Sequence, residues 1–201
     1  MAKRAFDLLA ASFGLLLLAP LMTVIALAIR FDSPGPALFR QQRVGRHGAL
    51  FRIHKFRTMV QGSAENGPSL TVGDDARITR VGRLLRSRRL DELPQLIDVL
   101  AGHMSVVGPR PELPRYVALY PPTLRERVMA VRPGLTDPAA LANLDESARL
   151  ARATDPEREY IEVLLPAKLQ VSIDYAESAS LVSDLCVLAR TLARLLGGGS
   201  R

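Results

Sequence analysis

The chain has no tryptophan, and aromatic residues make up only 5% of its 201 positions. A surface that stacks the bases of single strands is therefore poorly supplied. Cys186 is the only cysteine, which excludes a disulfide framework and a cysteine-ligated metal site. It reads as a small apolar residue on a helix face. His47, His54 and His103 lack the spacing of a zinc site. No internal repeat is visible, and the glycine-rich tail reads as frayed. Acidic residues are in deficit, 20 against 27 Lys+Arg, for a net charge of +7. That balance points to an anionic partner: nucleic acid, anionic lipid or phosphorylated small molecules. The length suits one compact domain plus an appendage.

Charge is missing altogether from one stretch, residues 8–29. As a helix it would span about 33 Å, roughly the hydrocarbon thickness of a bilayer. Three readings stand. A cleaved signal peptide fits the basic start and Ala26-Leu27-Ala28, although the apolar run is long for one. A single span is the default membrane reading. A re-entrant hairpin is the third, because Pro20 near the middle interrupts the hydrogen-bond ladder and breaks the helix. Lys3 and Arg4 lie before the run, and Arg40, Arg43, Arg46, Arg52, Lys55 and Arg57 follow it. If both basic flanks stay on the cytoplasmic side, the segment enters and leaves by the same face.

The chain is organised around residues 86–100, RSRRLDELPQLIDVL. Leu93, Leu96, Ile97 and Leu100 fall on one face of an amphipathic helix. Pro94 is tolerated only in its first turn, which starts the helix near Leu93. Asp91 and Glu92 then sit at its mouth, where unpaired N–H groups and the helix dipole favour negative charge and can bind phosphate. Arg83, Arg86, Arg88 and Arg89 lie just upstream. Two carboxylates among four guanidiniums suggest an anionic substrate, a divalent cation, or both. The plainer alternative is an N-cap at Asp91 and a solvated basic face.

Ser33-Pro34-Gly35-Pro36 is a turn cluster. Residues 37–43 and 49–56 then read as two strands around a turn at 45–48, with Phe39, Phe51 and Ile53 on the buried face. The hairpin carries Lys55 and Arg57, and a solvated cationic ribbon facing lipid headgroups is its plainer reading. A polar loop at 62–73 leads to Asp74 and Asp75, suited to a cation or, more simply, to a turn or cap. Helices are predicted over 81–90, 114–131, 139–154, 155–172 and 181–196. The last is apolar on one side and suits either the core or the membrane interface. Pro109 and Pro111 fix the backbone on either side of Arg110. A guanidinium held rigidly suits planar, bidentate phosphate recognition; a structural ion pair is the alternative. These pieces predict an α+β fold, mainly α-helical with a small antiparallel β-hairpin.

Five short motifs occur in order after the apolar segment: Lys55-Phe56-Arg57-Thr58-Met59, Asp75-Ala76-Arg77-Ile78-Thr79, Leu90-Asp91-Glu92-Leu93-Pro94-Gln95, Gly108-Pro109-Arg110-Pro111 and Arg132-Pro133-Gly134-Leu135-Thr136. The chain thereby resembles the bacterial sugar transferase family, the small monotopic polyprenyl-phosphate phosphoglycosyl transferases, over roughly residues 1–140. It resembles the minimal form, without the multi-span region of larger members. The resemblance implies a re-entrant membrane helix at 1–32, broken at Pro20, and a catalytic domain at 33–201 with C-terminal amphipathic helices, on the cytoplasmic face of the bacterial inner membrane. It implies transfer of a sugar phosphate from a UDP-sugar to undecaprenyl phosphate, with release of UMP, to start a surface glycan. Carried over by motif, Asp91 is the nucleophile and a Mg²⁺ ligand and Glu92 its acidic partner. Arg86, Arg110, Lys55 and Arg57 bind phosphate. The expected partners are the UDP-sugar, undecaprenyl phosphate and membrane phospholipids, without nucleic acid; a homo-oligomer is left open. Two departures stand out: Ala19 replaces the serine common before the membrane proline, and Asp137-Pro138 replaces a glycine-led loop. The rival readings are a membrane-anchored basic protein that binds anionic lipid or nucleic acid without catalysis, and a Mg²⁺-dependent hydrolase.

Overall fold

The uncharged N-terminal run can satisfy its own backbone only as a helix, and it forms the longest element of the chain. The computed structural model describes residues 2–63, 70, 71, 73, 75–141 and 146–196. The glycine-rich tail, Asp74 and much of the polar loop at 62–73 lie outside the described residues. Helix α1 (Ala2–Asp32) is followed by β1 (Leu38–Val44), β2 (Leu50–Phe56), α2 (Arg80–Ser87), α3 (Gln95–Leu100) and β3 (Ser105–Val107). Then come α4 (Pro114–Val117), α5 (Pro122–Met129), β4 (Gly134–Thr136), α6 (Glu146–Arg152), α7 (Pro156–Glu159), α8 (Leu165–Ser178) and α9 (Leu181–Leu196). The fold is mostly helical with a small antiparallel sheet, as the sequence predicts.

Helix α1 runs from Ala2 to Asp32 with Pro20 inside it, and the expected break at the proline is not shown. The ring removes one N–H, the neighbouring turns keep theirs, and Thr23 Oγ1 adds a hydrogen bond to Ala19 O (2.9 Å). Among the described residues α1 is the one helix long and apolar enough to cross a membrane. Its middle is open: Phe13, Leu16 and Leu17 are each more than 60% exposed. Both of its ends are fastened to the same body. Near the N-terminus Lys3 pairs with Asp184, Arg4 Nη1 donates to Val99 O (2.8 Å), and the buried Asp7 accepts from Ser105 Oγ and Val106 N. Near the C-terminus Ile25 and Ile29 pack with Phe56 and Leu85, and Asp32 accepts from Val81 N (3.1 Å).

The hairpin forms as expected, shifted by one residue at its edges, with register from Leu38↔Phe56 to Val44↔Leu50. Phe51 and Ile53 are buried and Phe39 is partly so. Helix α3 packs beneath α1, and its buried face differs from the expected one. Leu96, Val99 and Asp98 are buried, whereas Ile97 and Leu100 are more than a third exposed. A 3₁₀ turn at Leu90–Glu92 precedes α3. Asp98 is drawn inward to accept from His54 N and to meet His54 Nδ1, both at 2.8 Å.

Three further expectations are corrected. The helix predicted over 114–131 is two, because Pro121-Pro122 stops α4 and starts α5. In the 139–154 stretch, a 3₁₀ turn at Pro138–Leu141 precedes α6, and 142–145 lie outside the described residues. The 155–172 helix is interrupted by a wide turn at Tyr160–Leu164, and α8 continues to Ser178. The pair β3–β4, parallel through Ser105↔Gly134 and Val107↔Thr136, is not foreseen. Three-residue strands are too short to show a period of two. The predicted 181–196 helix matches α9.

Candidate active site

Two approaches of backbone to backbone bring the charged side chains together. At Gly82 on α2 an added Cβ would lie 2.1 Å from Thr58 O, so only a hydrogen lets α2 rest on that strand end. Arg86, one turn further, then donates from Nε to Thr58 Oγ1 (3.0 Å) and from Nη2 to Thr71 Oγ1 (3.3 Å). Gly108 and Gly134 cross so closely that a Cβ on Gly134 would meet Gly108 N at 2.0 Å. That crossing sets the Pro109-Arg110-Pro111 segment beside the carboxylates. Between these elements lies the 3₁₀ turn Leu90–Glu92, entered through Arg89 with φ 55°. A left-handed arginine carries strain of order ~1–3 kcal/mol, and such strain gathers at functional sites.

Glu92 is the hub. Its Oε1 accepts from Lys55 Nζ (2.7 Å) and from Arg110 Nη2 (2.8 Å). Burial opposes its ionisation, but Arg110 and Lys55 outweigh burial and hold its carboxyl well below the usual range. Glu92 in turn raises Arg110 further. Lys55 is pulled down to about 8, by burial first and then by Arg110, despite its bond to Glu92. Two half-buried cations therefore share one carboxylate oxygen, and one positive charge is in excess. Arg86 is lowered by burial and raised by Asp91, and stays charged.

Asp91 is different. It is buried, and among the described residues no side chain donates a hydrogen bond to its carboxylate. Burial raises its pKa, Lys55 and Arg86 oppose that rise, and Glu92 adds to it. The result is a carboxylate beside cations but bound by none. Helix α3 has only six residues and begins after Pro94, so the nearby cations and not a helix terminus set these charges.

A family model of the bacterial sugar transferases matches residues 1–198. The chain belongs to the bacterial sugar transferase family. It is 43% identical over 199 residues to a UDP-glucose:undecaprenyl-phosphate glucose-1-phosphate transferase of Caulobacter vibrioides, covering 96% of this chain and 69% of that protein. It is 37% identical to a UDP-N-acetylgalactosamine-undecaprenyl-phosphate N-acetylgalactosaminephosphotransferase of Aeromonas hydrophila, over 98% of this chain and 44% of that one. It is 38% identical to the exopolysaccharide production protein PSS of Rhizobium leguminosarum bv. phaseoli, over 98% of this chain and 96% of that one. The transferase is thus an enzyme of the phosphoglycosyl transferase type.

In the transferase, Asp91, Glu92, Lys55, Arg86 and Arg110 form one electrostatic cluster. Arg57 stands apart. Its guanidinium donates to Ser33 O (2.7 Å), Ser33 Oγ and Pro34 O and closes the end of α1. Asp75 accepts from Arg77 N (3.0 Å) and Arg77 Nε, so it builds a turn. Asp137 of the divergent loop is buried, caps the following turn through Ala139 N (2.9 Å), and lies within the field of Arg110. The sequence reading missed Thr58 and Arg43. Thr58 lies inside a quoted motif, but its partner is 28 positions away. Arg43 sits in a run of four polar residues, Arg40-Gln41-Gln42-Arg43, that singles out no member.

Asp91 is also the expected Mg²⁺ ligand. Among the described residues no group of three or more His, Cys, Asp or Glu side chains could cage a metal. Mg²⁺ is usually held by one or two carboxylates, water and substrate phosphates. A single free carboxylate on Asp91, with Glu92 already neutralised, fits that kind of site.

Proposed function

We propose that this transferase moves a sugar phosphate from a UDP-sugar to undecaprenyl phosphate through a covalent intermediate on Asp91. The carrying observation is the Asp91 carboxylate, to which no side chain among the described residues donates, beside a cationic cluster with more positive charge than Glu92 can neutralise. An Asp91 oxygen attacks the sugar-bearing phosphorus. The bond from that phosphorus to the bridging oxygen breaks, and UMP leaves with the electron pair. A phosphate oxygen of the lipid then attacks the same phosphorus, the bond to Asp91 breaks, and the carboxylate is restored. Splitting one exchange into two displacements is the gain of covalent catalysis.

The obstacle is charge, because an anion must approach a diphosphate. Arg86 and Arg110 supply fixed positive charge where negative charge builds up, in a site largely withdrawn from water. Glu92 holds Lys55 and Arg110 in place. The lipid phosphate is ionised near neutral pH, so Glu92 need not act as a base. Asp91 is the residue that would hold Mg²⁺, which when bound neutralises phosphate charge. The exposed middle of α1 and its two attachments to one body support a monotopic seat at the cytoplasmic face of the inner membrane. There the catalytic cluster meets the acceptor's phosphate without extracting its chain. Basic residues near that surface add about 1 kcal/mol each of attraction to an anionic leaflet.

UMP release from UDP-glucose and UDP-N-acetylgalactosamine, with and without undecaprenyl phosphate, tests the reading. Sustained release should require the lipid, a sugar-phosphoryl protein should be trapped without it, and Asp91→Asn should abolish both. Lipid-independent turnover points to a hydrolase, no release to a binding protein, and normal turnover by the variant removes Asp91 as nucleophile.

A further inference from the structure

In the Pro109-Arg110-Pro111 segment only Arg110 has an N–H, so its position has to be fixed largely through carbonyls. Two elements grip them. Pro109 O accepts from Gly134 N of β4 (2.9 Å), and Pro111 O accepts from Arg43 Nη1 of β1 (3.0 Å). The next residue on β1, Val44, donates to Glu112 O (3.0 Å). Arg43 therefore takes the carbonyl adjoining Arg110 on one side while β4 takes the carbonyl on the other.

Arg43 is held there on poor terms. Its Nη2 donates to Gln41 Oε1 (2.8 Å), its Nε is buried without an acceptor, and among the described residues no carboxylate pairs with it. Burial lowers its pKa, Glu112 opposes this, and the nearby Arg110 adds to it. Burying a guanidinium without a paired anion is unfavourable, and it persists where another interaction offsets it. Stability alone would be served as well by an apolar residue at this place in the strand. What Arg43 does that no apolar side chain does is hold Pro111 O, the carbonyl next to Arg110.

We propose that Arg43 is a positioning residue for Arg110: through Pro111 O it keeps the Arg110 guanidinium on Glu92, ready for the diphosphate. The idea rests on the reading of this cluster as a diphosphate site. It requires that the effects of Arg43 pass through Arg110.

The test is a double-mutant cycle on the full chain in nanodiscs, with UDP as the titrated probe. Arg43→Gln should weaken UDP about 5- to 10-fold, within the range of one ordinary net hydrogen bond. In the presence of Arg110→Lys the same change should have little further effect. Gln41→Ala, which loosens Arg43 and leaves its charge, should act in the same direction but more weakly. Arg43→Lys should recover part of the loss. A ligand-free readout keeps failure of the inference distinct from failure of the site reading. The Arg110 Nε–H signal in ¹⁵N spectra, assigned by its loss in Arg110→Lys, should be rigid in the parent and mobile in both Arg43→Gln and Gln41→Ala. Unchanged Arg110 mobility in these variants, or losses that multiply across the cycle, would overturn the proposal even if UDP bound normally.

Discussion

Two buried ionic clusters stand side by side in this molecule, and only one is satisfied. In the second, Tyr160 OH donates to Glu112 Oε1 (2.6 Å), Leu113 N donates to Glu112 Oε2 (3.2 Å), and Lys168 reaches Glu146 (3.1 Å) and Tyr160 OH (3.3 Å). Each of these charged groups has an opposite charge or a donor. In the first, Lys55 and Arg110 crowd one oxygen of Glu92, while no side chain among the described residues donates to Asp91. A satisfied cluster ties elements together; here it joins α8 to the segment after Arg110. An unsatisfied one retains free energy that a ligand can recover. The difference between them, more than the number of charges in either, separates scaffold from site.

The contrast yields three predictions. The largest effect belongs to the unsatisfied cluster. Arg110→Ala should lower kcat/KM for UDP-sugar by about 10²–10³, the scale of one lost electrostatic donor, with little change in melting temperature. Steady-state kinetics and a thermal melt of the same preparation check both halves. Next, Tyr160→Phe should lower stability by about 1–3 kcal/mol, because Glu112 loses a buried donor, while activity per folded molecule stays near that of the parent. Equal losses of activity in the two variants would erase the distinction. The smallest effect is on pH. Lys55 titrates at about 8, so activity should fall several-fold between pH 7 and 9 as its charge is lost, and Lys55→Arg should flatten that limb. Its contribution to stability runs the other way. The unfolded lysine keeps its proton to about 10.5 and the folded one only to about 8. Between those values the unfolded chain binds more protons, and stability rises with pH.

Much of this was legible in the sequence, for identifiable reasons. The hairpin announces itself through two strands and a glycine-bearing turn. Asp91, Glu92 and Arg110 are marked by neighbouring prolines, which fix local backbone whatever the tertiary context. Less legible was what depends on distance along the chain. The role of Arg57 at the end of α1 is invisible to spacing because its acceptors are carbonyls at Ser33 and Pro34. The buried face of α3 differs from the expected one because Asp98 turns inward for a histidine 44 positions away. Proline marks residue 20 for a break, and the helix holds that proline inside it with no break shown.

The crossing of Gly108 and Gly134 carries a last consequence. The two backbones there leave room for nothing but hydrogen, and Pro109 O is gripped by the N–H of Gly134 itself. The spacing of the arginine from its carboxylate partner is thus gauged by the smallest side chains in the alphabet, at a point that carries no charge of its own. A lineage of such proteins is free to trade polar groups around this knot far more readily than it is free to add a single methyl to it.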